Sequence, residues 1–142
     1  MSKKITWKGY DYTIQAGPDG SWLPRPLIEV VLTSLEGSEK VAVMAMVDSG
    51  TDGTIFHAQI AETLRIDKTK CKRGKIAGIG SLEGFRANVG ILVPDFHAKL
   101  EIPVFFAENL PLDGLLGQKH FFQRFKIRFE KDIGRFFLAL GQ

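Results

Sequence analysis

Apolar residues occur along this chain in short runs that turn residues separate, a pattern typical of β-strands. Residues 27–32 and 40–47 are two such runs, and the turn at residues 37–39 between them predicts a hairpin. Further apolar or alternating runs predict strands at residues 89–93, 98–106, 115–117, 126–130 and 135–140. The chain is therefore expected to consist mainly of strands.

Apolar residues at helical spacing predict two short helices, at residues 55–66 and 118–125. Glycines recur between residues 74 and 90 with apolar residues among them, which predicts a β-hairpin with a mobile, glycine-rich tip. Many short strands joined by glycine-rich turns indicate a mainly β domain, closed or sandwich-like.

The length of 142 residues is typical of one domain. We divide the chain into an N-terminal lead-in at residues 1–24, where turn residues and prolines are frequent, and a single domain at residues 25–142. The net charge is only +3. The densest basic cluster, residues 68–75, contains no aromatic residue that could stack on bases, so nucleic acid is not an expected partner.

Cys71 is the only cysteine, so an intrachain disulfide is impossible and a reducing compartment fits. No apolar stretch approaches the ~20 residues that cross a bilayer, and the N-terminus lacks the apolar core of a signal peptide. We therefore expect a cytoplasmic protein without a membrane partner. The three histidines have no metal-ligand spacing with cysteine or carboxylates, so no metal site or other cofactor is expected.

The run that ends at Val47 leads directly into a turn that carries a carboxylate, Asp48-Ser49-Gly50-Thr51. Glycine lets the chain bend there, and the two hydroxyls can hydrogen-bond within the turn. The triplet alone is weak support, because average composition gives Asp-[Ser/Thr]-Gly in roughly one of ten chains of this length. Two further motifs strengthen it by following in order: the glycine-rich Gly78-Ile79-Gly80, and Leu115-Leu116-Gly117 before a helix.

This order of motifs resembles the retropepsins, the single-domain aspartic peptidases of retroviruses and their cellular and bacterial relatives. The segment from Val47 to Thr54 has the D-[ST]-G-x-D-x-T form of that family, and the resemblance extends over about residues 25–140. It implies a mainly β, closed retropepsin-like barrel with a flap hairpin and one or two short helices. It also implies an aspartic endopeptidase that works as a C2 homodimer on extended polypeptides, without a cofactor.

The resemblance also implies a role for each matching residue. Asp48 is the implied catalytic carboxylate. Ser49, Gly50 and Thr51 complete the active-site turn, with Ser49 bonding across the dimer axis. The residues implied to bind substrate are Gly50, Asp52, Gly53, Gly78, Ile79, Gly80 and Leu115.

One chain offers one such acid, because Asp113-Gly114 lacks the intervening hydroxyl residue and is interpreted as a turn before Leu115. The second carboxylate is therefore expected from Asp48 of a twofold-related partner. Two adjacent carboxylates cannot both ionise cheaply, so they share one proton and can act as acid and base together.

Three positions depart from the viral pattern, and one of them, Gly53, replaces a second acid found in some viral members. Gln118 stands where viral members usually carry an arginine, which puts the local ion pair in doubt. Thr51 stands where alanine is frequent, and its hydroxyl is expected to donate to the carboxylate and extend activity further into acid.

The alternative function is a non-catalytic or very weakly active peptide-binding or dimerisation module on the same fold. A processing peptidase of a mobile element is a further alternative. Asp48 favours catalysis over binding, because a binding module has no need to bring two like charges together.

Overall fold

The computed structural model describes residues 4–78 and 80–141, and within them strands predominate. The strands are β1 (Lys8–Asp11), β2 (Thr13–Ala16), β3 (Trp22–Arg25), β4 (Leu27–Thr33), β5 (Lys40–Val47), β6 (Ile55–His57), β7 (Lys72–Gly78), β8 (Gly80–Val93), β9 (Ala98–Ala107), β10 (Gly114–Leu116), β11 (Phe125–Glu130) and β12 (Arg135–Leu140). The helices are α1 (Ala58–Thr63) and α2 (Phe121–Arg124). The prediction of a mainly β chain is confirmed.

The main sheet contains the predicted β4–β5 hairpin and continues from β5 through β10, β6, β9 and β8. β8 then returns to pair with β4, where Val31 lies opposite Leu92, so the hydrogen-bonded pairings form a circuit. β10 pairs in parallel with β5 and antiparallel with β6. This arrangement brings the ends of β5 and β10 to the same place, where the candidate site lies.

The core lies inside this circuit because strand alternation turns one side of each strand inward. In β4, Ile28, Val30 and Leu32 are buried while Glu29 is exposed. The rings of Phe85 and Phe106 stack with their centroids 5.6 Å apart. Burial of each such side chain stabilises the fold by roughly 1.5–3 kcal/mol.

The predicted helix at residues 55–66 begins later than expected, because residues 55–57 form β6 instead. Ile55 pairs with Phe105 of β9 on one side and with Leu115 of β10 on the other, so sheet pairing overrides the helical pattern. His57 then caps α1, and its Nδ1 accepts a hydrogen bond from the Gln59 amide at 3.1 Å. The second predicted helix, at residues 118–125, is also shorter than expected, and its helical part is α2 (Phe121–Arg124).

The glycine-rich segment forms the predicted hairpin, β7 paired with β8, with Gly78 opposite Gly80 at its tip. Ile79 lies outside the described residues, and the mobility of the tip stays a prediction. Neither of the described helices is long and apolar enough to span a bilayer.

The N-terminal lead-in contains three strands rather than irregular chain. β1 pairs with β12, which also pairs with β11, so these strands form a second sheet in the order β1–β12–β11. The Tyr10 ring stacks on Phe136 at 5.3 Å, and its hydroxyl donates to Asp95 at 2.9 Å. β2 and β3 form a separate hairpin. The domain division at residue 24 stays a prediction.

Tyr10 anchors the lead-in, and Tyr10→Phe is expected to lower the free energy of unfolding by about 0.5–1.5 kcal/mol in urea titrations at pH 7. Burial, and then the hydrogen bond to Asp95 and its charge, raise the pKa of Tyr10. The neutral phenol is therefore the favoured native form. The Tyr10 hydroxyl therefore contributes fully to the free energy of unfolding below pH ~10, where the phenol of the unfolded chain titrates. This contribution is lost as the pH rises further.

Tyr12→Phe is the matched control, because Tyr12 packs against the same Phe136 ring and only burial raises the pKa of its hydroxyl. Equal losses of stability in the two variants would contradict an anchoring role for the Tyr10–Asp95 hydrogen bond.

Candidate active site

The acidic turn is held at the point where β5 ends. The Asp48 amide donates to the Leu116 carbonyl of β10 at 2.9 Å, and the Thr51 amide donates to the Asp48 carbonyl at 3.3 Å. The parallel pairing of β5 with β10 continues directly into this turn, with Val47 opposite Leu116. The position of Asp48 is therefore fixed by the sheet as well as by the turn.

Both carboxylate oxygens of Asp48 accept a hydrogen bond within the turn. The Gly50 amide donates to Oδ1 at 2.9 Å, and the Thr51 hydroxyl donates to Oδ2 at 2.6 Å. The bond from Thr51 was predicted from the sequence and is confirmed. Hydrogen bonds of this kind fix the orientation of a carboxylate. Asp48 is half-buried, so its carboxylate remains accessible from the neighbouring cavity.

The segment after β10 supports the turn from behind. The Gln118 amide donates to the Thr51 carbonyl at 2.8 Å, and the Lys119 amide donates to the Asp52 carbonyl at 2.7 Å. Gly117 lies so close to the carbonyl oxygens of Thr51 and Gly53 that a Cβ atom there would overlap them. This close approach explains why a glycine follows the two leucines.

Gln118 has a role that sequence reasoning missed. Its Nε2 donates to the Ser49 carbonyl at 2.6 Å and so ties the exposed side of the turn to the chain after β10. From the sequence, Gln118 was only the residue that replaces an arginine. The side-chain amide of Gln118 donates an uncharged hydrogen bond to the main chain of the turn.

A cavity of about 890 Å³ adjoins Asp48. Its lining includes residues 50–55, Leu115, and Ile76 and Leu82 of the β7–β8 hairpin. Thus the structure brings together the predicted Asp48, Gly50, Thr51, Asp52, Gly53 and Leu115. Ser49 is exposed and does not line the cavity, Gly78 and Gly80 pair at the hairpin tip, and Ile79 lies outside the described residues.

The apolar part of the cavity belongs to a hydrophobic cluster that is separate from the main core. Ile55, Phe105 and Leu110 are buried members of that cluster, and Leu115 packs against them. Phe105 was not foreseen as a site residue because it comes from β9, far along the chain. Its place depends on the long-range pairing with Ile55.

The other turn acid does not join this site. Asp113 does not line the cavity, and its main-chain carbonyl accepts a hydrogen bond from the His57 amide at 2.9 Å. This agrees with its interpretation as a turn before β10. A second cavity of about 490 Å³ lies beside α1 and is lined by Glu62 and Asp67 among others, but not by Asp48.

No protein-family model and no curated protein sequence matches the chain. Solved structures do match it. A retropepsin-like aspartic protease from Rickettsia conorii superposes with a TM-score of 0.59 at 19% identity, over 98% of this chain and 97% of that one. The retroviral protease-like domain of Ddi1 from Leishmania major gives a TM-score of 0.53 at 19% identity, over 75% of this chain and 82% of that one.

These likenesses confirm the resemblance at the level of the fold: the chain has the retropepsin fold.

Proposed function

We propose that this chain is an aspartic endopeptidase whose active site forms when two copies pair. One observation carries the proposal. Asp48, oriented by hydrogen bonds to both of its oxygens, faces a cavity of about 890 Å³ on a retropepsin fold. An oriented carboxylate in an accessible groove is the arrangement that general acid–base chemistry requires.

A second copy is needed because the mechanism uses two adjacent carboxylates and the described part of one chain provides only Asp48 in a suitable position. Asp52 is the other carboxylate residue that lines the cavity, but the oxygens of Asp48 are already directed to Gly50 and Thr51 rather than to it. A C2 axis beside the exposed Ser49 and Gly50 would bring Asp48 opposite its own copy. The two carboxylates would then share one proton, because both cannot be ionised at close range.

The reaction uses both members of this pair. The unprotonated carboxylate takes a proton from a bound water, whose oxygen attacks the carbonyl carbon of the peptide, while the protonated carboxyl donates to the carbonyl oxygen. The product of this step is a tetrahedral gem-diol. Transfer of a proton to the amide nitrogen then accompanies cleavage of the C–N bond, and the pair again holds one proton.

The lining of the cavity, which joins the Asp48 turn to residues of the β7–β8 hairpin, favours an extended polypeptide as the substrate. A chain lying between the Asp48 turn and the β7–β8 hairpin can be bound through its main chain, while alternate side chains enter pockets. Ile76, Leu82 and Leu115 are only partly buried and line the cavity, so they provide an apolar surface for one such side chain. The residues proposed to contact the substrate are Gly50, Asp52, Gly53, Gly78, Ile79, Gly80 and Leu115.

The test is cleavage of a random peptide pool between pH 3 and pH 7, with new termini identified by mass spectrometry. Wild type is compared with Asp48→Asn, which serves as the blank for contaminating proteases. New termini that only the wild type produces are the expected result, and specific activity should fall on dilution as the dimer dissociates. Equal products from both proteins would refute the proposal, and a peptide-binding module would then be favoured.

The Thr51 hydroxyl is expected to keep the base working in acid. Removing its hydrogen bond to Asp48 Oδ2 with Thr51→Ala should move the acidic limb of the pH–rate profile to higher pH. Thr51→Ser retains a hydroxyl and is the control. An acidic limb at the same pH in Thr51→Ala and wild type would rule out this role.

A further inference from the structure

The lining of the cavity beside Asp48 includes an arginine, Arg86, whose guanidinium lies over an aromatic ring. Arg86 of β8 lies opposite Phe105 of β9, and its guanidinium carbon is 5.3 Å from the centroid of that ring. Phe105 is only 1% exposed, whereas the Arg86 side chain is exposed, and both residues line the cavity beside Asp48. A guanidinium stacked on a ring is fixed in orientation at little further entropic cost.

Arg86 has no carboxylate partner, unlike two cations of the neighbouring strand. On β7, Arg73 pairs with Glu108 at 2.9 Å and Lys75 pairs with Glu83 at 3.3 Å. In the described part of the chain, no ion pair includes Arg86. Its N–H donors therefore remain available to a group that enters the groove.

The chemistry of that group follows from the donor. A guanidinium presents a planar fork of N–H donors that matches the two oxygens of a carboxylate. In an extended peptide substrate, that carboxylate belongs to a glutamate or aspartate side chain. The acidic side chain would lie against the exposed guanidinium of Arg86, which itself covers the Phe105 ring.

We infer that Arg86 is a specificity-determining residue and that the cavity prefers peptides with an acidic side chain at the position facing Arg86. This inference rests on the proposed function, because it concerns the substrate of the same groove. The cavity lining also includes two lysines, Lys75, which pairs with Glu83, and the exposed Lys119, but in the described part of the chain Arg86 alone among these three cations lies over an aromatic ring.

The first experiment compares two synthetic peptides that differ only by glutamate or glutamine at the position most enriched in acids in the cleaved pool. Wild type should cleave the glutamate peptide with a kcat/KM about five- to tenfold higher, as expected for an exposed but oriented ion pair. Arg86→Met keeps an unbranched apolar stem on the ring and should cleave both peptides equally. Absence of acid enrichment in the wild-type pool, or a glutamate preference that survives in Arg86→Met, would overturn the inference.

Lys72→Met is the matched control. Lys72 pairs with Arg86 across the hairpin and is also an exposed cation, but it does not line the cavity. Its substitution removes the same charge and should leave the glutamate preference unchanged. An equal loss of preference in Lys72→Met would assign the effect to the overall charge of the hairpin and overturn the role of Arg86.

A binding measurement separates this inference from the proposed function. Fluorescence anisotropy on Asp48→Asn, with and without Arg86→Met, measures affinity without cleavage for a glutamate and glutamine peptide pair whose common sequence is the one most enriched when the random pool binds immobilised Asp48→Asn. Arg86-dependent selectivity for glutamate supports the inference even where wild type cleaves nothing and the peptidase assignment fails. Cleavage by wild type combined with equal affinity for both peptides overturns the inference and leaves the peptidase assignment in place.

Discussion

Asp48→Asn is expected to lower kcat/KM for peptide hydrolysis by at least about a thousandfold. General acid–base catalysis by one positioned group contributes roughly 10²–10⁴-fold, and in a homodimer this single substitution removes both groups. Asparagine retains the size of the side chain and an oxygen that can accept the Gly50 amide hydrogen, which now goes to Oδ1. The loss should therefore be chemical, with an unfolding midpoint close to that of wild type.

Mixing the two proteins tests whether both acids act in one site. With a tenfold excess of Asp48→Asn, random exchange of subunits should lower the activity of a fixed amount of wild type roughly tenfold, because most wild-type chains then pair with a chain that lacks the acid. Heat-unfolded Asp48→Asn at the same concentration is the control. Unchanged activity after full subunit exchange would contradict a site shared between two copies.

Gly117→Ala is expected to have the second-largest effect, because it affects the support of the acidic turn. A Cβ atom at this position would overlap the main-chain carbonyl oxygens of Thr51 and Gly53. Main chain cannot move aside as a flexible side chain can, so overpacking should lower the free energy of unfolding by about 1–3 kcal/mol. Displacement of the turn should also reduce kcat about a hundredfold.

Gly74→Ala provides the matched control for this second prediction. A Cβ atom at Gly74 of β7 would meet only Phe105 Cε2, at the ordinary contact distance of 3.9 Å. Its unfolding midpoint and kcat should therefore stay near the wild-type values. Wild-type kcat in Gly117→Ala, measured alongside this control, would contradict the tight support of the turn.

The acidic turn could be predicted from the sequence because its determinants are local. An apolar run followed by Asp48, Gly50 and Thr51 specifies a strand, a bend and two hydrogen-bond donors within a few residues. The β4–β5 hairpin was predictable for the same reason, since its two strands and their turn are adjacent in the chain.

Features that depend on distant pairings were predicted wrongly or not at all. Residues 55–57 have helical spacing, but the neighbours that make them a strand, Phe105 and Leu115, come later in the chain. The lead-in gave no sign of β1, because its partner β12 lies at the opposite end of the sequence. Strand pairing of this kind is decided by tertiary context rather than by local propensity.

The same reason limits what the sequence reveals about the groove. Arg86 shares a wall with Phe105 only through the pairing of β8 with β9, which the pattern of glycines between residues 74 and 90 does not specify. The position of Gln118 after Leu115-Leu116-Gly117 was noted, but its hydrogen bond to Ser49 required the fold.

The bond from Gln118 to the Ser49 carbonyl joins two groups without net charge. Dissolved electrolytes screen attraction between ions but act little on a short neutral hydrogen bond. The strength of this contact, and the alignment of the turn that depends on it, should therefore be insensitive to ionic strength.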